Sequence, residues 1–144
     1  MDQEQYLQER VENQIKWYDD KSKSNQNWFK SLRIIEIVSA AFIPFIAGYN
    51  ESIPCGNVIV GFLGVVIAVC AGLAALNKYQ ENWLTYRTTC ETLRHEKFLF
   101  MTNTKPYDTD DSFDQFVTRV ENTISKENTQ WARVAKKKSH NNAN

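Results

Sequence analysis

Apolar and polar positions along the chain are segregated into blocks rather than scattered, and the blocks alternate with stripes of helical period. Between Ile34 and Leu76 the only charged residues are Glu36 and Glu51, whereas the flanking segments are dense in Lys, Glu, Asp, Asn and Gln. Val58 to Leu76 (VIVGFLGVVIAVCAGLAAL) runs for nineteen residues without a charge. As a helix it would be about 28 Å long, which fits a hydrocarbon core of about 30 Å. Ile34 to Tyr49 (IIEIVSAAFIPFIAGY) is shorter and carries Glu36 and Pro44. Only the polar link Asn50 to Asn57 separates the two blocks, so they are expected to form the two arms of a transmembrane hairpin.

Outside the apolar blocks, three segments repeat with 4-3 spacing: Val11, Ile15, Tyr18, Ser22, Asn25, Phe29, Leu32; then Tyr79, Trp83, Tyr86, Cys90, Leu93, Lys97; then Phe113, Val117, Val120, Ile124, Glu127, Trp131, Val134. Such spacing keeps one stripe of a helix facing a partner. No proline or glycine interrupts the first two stripes where they meet the apolar blocks. Two continuous helices over about 4–48 and 58–101 are therefore predicted, followed by a turn at Thr102 to Asp111 (TNTKPYDTDD). Ser112 with Gln115 has capping-box spacing for a third helix that folds back on the others.

The predicted fold class is an all-α membrane protein, a two-helix transmembrane hairpin whose long helices extend into a cytoplasmic three-helix bundle. Residues 1–135 form a single domain, with spans at about 32–49 and 58–76 and cytoplasmic helices at about 4–31, 77–101 and 112–135. The lysine-rich residues 136–144 are expected to be a disordered basic tail.

Charge sets the orientation. Lys16, Lys21, Lys23, Lys30 and Arg33 precede the first span, Lys78, Arg87 and Arg94 follow the second, and the link has no basic residue. The positive-inside rule then puts both termini in the cytoplasm. Trp28, Phe29, Tyr49, Tyr79 and Trp83 lie near the span boundaries, as an interfacial aromatic belt requires. The first thirty residues hold no apolar core segment, so no cleavable signal peptide is expected.

Composition excludes several chemistries. Seventeen basic residues balance seventeen acidic ones, which gives no field directed at nucleic acid. Cys55, Cys70 and Cys90 lie far apart with no histidine at ligand spacing, so neither a disulfide framework nor a metal site is expected, and no cofactor is called for. There is no GxGxxG, P-loop, nucleophile elbow or HExxH, and the chain is not expected to be an enzyme. His95 and His140 have no partner at useful spacing.

The candidate functional residues lie in and around the spans. Gly64, Ala68 and Gly72 recur every four residues, with Gly61 close to the same face. A stripe of small residues lets helix backbones approach closely in lipid, and the approach is either to the chain's own first span or to another subunit. Glu36 is the only acid inside a span; it is a candidate for function by its position, or a structural residue paired with Arg33 or Lys78 at the inner boundary. Glu51, the only charge in the link, would form an acidic ring at the outer mouth of a symmetric oligomer, or is simply a solvated loop residue. Asn57 and Asn77 bracket the second span at its two mouths or mark its ends.

The segments WYDDKS (17–22), IIEIVSAAFIPF (34–45), KYQENWLTYRTTCETLRHEKFLF (78–100), Tyr107 and FVTRVENTISKENTQW (116–131) together resemble the SLATT superfamily, closest to its broad bacterial branch long catalogued only as a domain of unknown function. Asn82, Trp83, Tyr86, Arg87, Glu91, Leu93 and Glu96 carry the most specific part of the match. The resemblance implies a pore-forming membrane module of a bacterial inner membrane. On this reading the partners are the bilayer, permeant ions, a cytoplasmic trigger ligand or protein, and further copies of the chain in a tetramer or larger homo-oligomer. Arg87, Glu91, Arg94 and Glu96 would pair with the last helix or bind an effector. The other reading of the same residues is a non-conducting membrane adaptor that recruits a cytoplasmic partner.

Overall fold

A computed structural model describes residues 2–49 and 51–141. The described residues form three helices: α1 (Gln3–Gly48), α2 (Gly56–Met101) and α3 (Ser112–Asn141). Two compact units divide it, one made of residues 1–20 and 85–144, the other of residues 21–84.

The first unit is a three-helix bundle. Tyr6, Val11 and Tyr18 of α1, Cys90, Leu93 and Phe100 of α2, Phe116, Val120 and Ile124 of α3, and Tyr107 from the turn make one buried core. Val11, Tyr18, Cys90, Leu93, Val120 and Ile124 among them lie on the 4-3 stripes, and the stripe residues Ile15, Tyr86, Phe113 and Val117 pack against this core. Val134, the last residue of the third stripe, has its side chain outside the described residues. The aromatic floor of the bundle is denser than the stripes alone imply, because Phe116 stacks on Phe100 with ring centroids 4.4 Å apart and meets Tyr107 and Tyr6 edge-on.

The opening of α1 departs from regular α-helix. Tyr6–Glu12 is a π-helical stretch. Each turn there closes over about five residues instead of four, which brings Tyr6 and Val11, five apart and on different faces of an α-helix, onto one buried side.

In the second unit, α1 runs without a break through Pro44 to Gly48. Its buried and half-buried positions Leu32, Glu36, Ser39, Ile43 and Ile46 continue the 4-3 stepping, as do Val60, Leu63, Ile67, Cys70 and Ala74 on α2. Each helix thus keeps one stripe out of solvent, and Trp28 stacks on Tyr79 while Ser22 Oγ donates to the Trp83 carbonyl. Along the two apolar blocks the rest of the surface is largely apolar and open. Only 11% of the most apolar window of α1 and 6% of that of α2 is buried, and Ile34, Ile37, Phe42, Phe45, Val58, Phe62, Val65 and Leu76 are all exposed. A core helix of a water-soluble fold would bury such residues.

Two local expectations are corrected. First, α2 is not one uninterrupted α-helix, since Lys78 adopts the left-handed conformation (φ 49°, ψ 40°) between Gly56–Asn77 and Tyr79–Met101. Hydrogen bonding survives the flip: Lys78 N–H donates to Ala74 O, Asn82 N–H donates to Lys78 O, and the Asn82 side-chain amide donates to the Asn77 carbonyl at 3.0 Å. No glycine or proline announces this joint. A left-handed residue with a Cβ costs about 1–2 kcal/mol, so Lys78→Gly is expected to raise stability by about 1 kcal/mol, read as a higher melting temperature of the detergent-solubilised protein.

Second, α3 has no Ser112 capping box. Ser112 is already inside the first turn, Gln115 N–H donates to the Asp111 carbonyl, and the Gln115 side chain reaches Thr109 Oγ1 at 3.3 Å. α3 is helical as far as Asn141 and so takes in the first residues of the expected basic tail. Residues 142–144 lie outside the described part of the chain.

Candidate functional site

The small-residue stripe lies on the open side of its helix. Gly61, Gly64, Ala68 and Gly72 are all exposed, while the protected side of this part of α2 is formed by Val60, Leu63, Val66, Ile67, Cys70 and Ala74. A Cβ built on Gly61, Gly64 or Gly72 would meet nothing within 4 Å. The three glycines therefore leave open space on this face of α2.

The charged candidates separate in the same way. Glu36 is half-buried on the protected stripe of α1 and bonded to Arg33 at 3.0 Å. Lys78 turns instead to Glu81 at 3.2 Å. Glu51 is exposed in the turn between Gly48 and Gly56, the first residue of its link, Asn50, being outside the described residues. Asn57 is exposed at the start of α2. Asn77 is spent locally, its side chain donating to the Leu73 carbonyl at 3.1 Å beside the Lys78 joint. Cys55 is exposed in the turn, whereas Cys70 and Cys90 are buried; Cys90 lies under Ile15, and burial pushes its thiol up.

The bundle holds a second constellation that the sequence did not single out. Three buried phenols each donate to a carboxylate: Tyr6 to Glu121 at 2.9 Å, Tyr18 to Glu127 at 3.0 Å, and Tyr107 to Glu96. Burial, followed by these hydrogen bonds, pushes all three phenols well above their ordinary range. Arg10 grips Glu121 with two nitrogens at 3.0 and 2.9 Å, and Arg119 reaches Glu96 at 3.1 Å. Glu127 is buried and also receives the Trp131 indole N–H. One signal for it was available, because Glu127 is the only acid on the third 4-3 stripe. The arginines and glutamates of α2 pair within the bundle: Arg87 with Glu91 at 2.8 Å, Arg94 with Asp19 and Glu91, and Glu96 with Arg119 of α3.

Arg10, through its hydrogen bonds, holds the Glu121 carboxyl below the usual carboxylate range against an opposing desolvation. A lowered folded-state value means that the unfolded chain binds protons first, so this pair stabilises the fold above the ordinary carboxylate range of about 4.3 and is lost as pH falls through the lowered value. Both side chains are about 40% exposed, which keeps the contribution small. Glu121→Gln is therefore expected to flatten the acid limb of stability against pH while lowering neutral-pH stability by about 1 kcal/mol or less, read by melting at stepped pH.

On the face of the bundle between α1 and α2, Glu12, Ile15, Lys16, Asp19, Arg94, Lys97, Phe98 and Met101 line an open groove of about 500 Å³. Phe98 and Met101 are well exposed there, and ion pairs Lys97–Glu12 and Arg94–Asp19 form its rim. No group of His, Cys, Asp and Glu able to hold a metal ion occurs among the described residues.

Compared with known proteins, the sequence profile of one family, described as "Protein of unknown function (DUF4231)", matches residues 13–115. That range covers the two apolar segments, the joint at Lys78 and the opening of α3. No curated protein matches the chain, and no solved structure matches it.

Proposed function

We propose that this chain, which belongs to the DUF4231 family of proteins of unknown function, is a homo-oligomeric membrane channel of the SLATT type. In this reading α1 and α2 cross a bacterial inner membrane as a hairpin, both termini are cytoplasmic, and the second span lines or flanks the conduction path. The observation that carries it is the open stripe of Gly61, Gly64, Ala68 and Gly72 on an otherwise apolar, largely unburied segment. In lipid, apolar area alone gives helices no reason to associate, whereas close backbone approach at small residues does. Two helices per chain cannot enclose a pore, so the stripe is assigned to contact between copies, in a tetramer or larger ring.

Glu51, exposed in the turn, would then repeat around the axis at the outer mouth and favour cations. Recording the purified protein in a planar bilayer under asymmetric KCl tests both levels. Discrete conductance steps reversing toward the cation potential are expected, and Glu51→Lys should move the reversal toward the anion side. Steps unaffected by that change would keep the channel and discard the acidic ring. Silence from a verified oligomer at all voltages and calcium levels would discard the channel.

The second reading, a non-conducting adaptor, is favoured by the groove at Ile15, Phe98 and Met101, whose apolar floor and charged rim have the anatomy of a docking surface. An adaptor should be indifferent to the charge at Glu51.

A further inference from the structure

The last ten residues of α3 carry a charge pattern that neither the bundle core nor the proposed channel uses. Along α3, Phe116 is level with Phe100 and Trp131 is level with Tyr86, so α3 runs antiparallel to α2 through the bundle. Past Trp131 the side chains Ala132, Arg133, Ala135, Lys136 and Lys137 are all exposed, yet the helix continues to Asn141. Residues 132–141 contain Arg133 and the run Lys136 to Lys138 and no acid, in a chain whose charges cancel overall. A helix dipole explains a cation or two in a last turn. It does not call for four in six residues, nor for the loss of every apolar position on the packing stripe, where Lys138 follows Val134.

The helix runs ten residues, roughly 15 Å, past Trp131, which carries these cations clear of the aromatic core, and a cluster of exposed cations without acids is complementary to an anionic surface.

We infer that the basic end of α3, with Arg133, Lys136 and Lys137 as its exposed cations, is a docking surface for anionic phospholipid headgroups on the cytoplasmic face of the membrane. The inference rests on the membrane reading above and goes beyond it, since a channel needs no such contact. Each cation near an anionic bilayer surface strengthens binding roughly fivefold, and the attraction falls off within a Debye length.

Hydrogen exchange of the full chain in lipid nanodiscs tests it, comparing phosphatidylcholine discs with discs that also contain phosphatidylglycerol. Amides of residues 133–141 are expected to exchange about tenfold more slowly in the anionic discs. The triple variant Arg133→Gln, Lys136→Gln, Lys137→Gln should abolish the difference, while amides around Val120 and Leu93 stay protected and report an intact bundle. Equal exchange in the two disc types, or slowing that the triple variant retains, overturns the docking surface and leaves the membrane reading standing. Failure of the chain to co-elute with discs of either kind overturns both.

Discussion

Phe116→Ala is expected to cost the bundle about 3–5 kcal/mol, the largest single-residue loss among its aromatic positions. Phe116 is fully buried, stacks on Phe100 at 4.4 Å, and is edge-on to Tyr107 and Tyr6. It is the residue through which α3 touches α2, the turn and the π-helical start of α1 together. Truncation removes the ring's transfer energy and leaves a cavity walled by three rigid aromatics, which cannot collapse into it as aliphatic side chains would. A domain of ordinary stability has about 5–15 kcal/mol in total, so the variant should be close to unfolding in the bundle at room temperature. Near-ultraviolet circular dichroism through a denaturant titration reads the loss. Phe62→Ala is the matched control, since Phe62 is 66% exposed in the apolar segment and its truncation should shift the same transition by about 0.5 kcal/mol or less. Equal effects at the two positions would mean that the three helices do not share the core described.

The second large effect is on assembly rather than folding. Gly64→Leu combined with Gly72→Leu is expected to weaken self-association more than tenfold, which is about 1.4 kcal/mol, and to abolish conductance. Gly64 and Gly72 are exposed, and a Cβ at either position meets no atom within 4 Å. Two leucines therefore should leave the melting of the bundle unchanged while holding neighbouring backbones apart. Mass photometry of the solubilised protein over a dilution series separates the outcomes. If the variant assembles like the parent, the stripe faces lipid and the subunit contact lies elsewhere. From the sequence alone this substitution would have been ambiguous, because the same stripe fitted a contact inside the chain.

That contrast shows which parts of the fold the sequence discloses. Long helices, their stripes and the apolar segments follow from periodicities of side-chain polarity, which are local, and Val11, Tyr18, Cys90, Leu93, Val120 and Ile124 are buried where the 4-3 pattern puts them. What the pattern does not carry is backbone departure without a marker residue. The π-helical turn at Tyr6–Glu12 and the left-handed Lys78 involve neither glycine nor proline, so nothing in composition points to them. Capping failed at Ser112 by a single position, because whether Asp111 or Ser112 ends the turn depends on contacts from Thr109. Of the candidate site, the small residues and Glu51 could be named in advance, but the direction they face could not. Nor could the pairing of Tyr6, Tyr18 and Tyr107 with glutamates between 11 and 115 positions away in sequence, since such pairs are made by the fold.

Cys55 gives the chain a built-in compass. Its thiol is the only exposed one of the three cysteines and sits in the turn between the two apolar segments, in a left-handed residue that ends the turn. Cys70 and Cys90 are buried, so the folded protein offers a bulky, membrane-impermeant maleimide a single point of attachment without any engineering. Whichever compartment must contain the reagent for mass to be added is the compartment into which the turn projects. The sidedness of the whole chain can thus be read from the unmodified protein, using spheroplasts on one hand and inverted vesicles on the other.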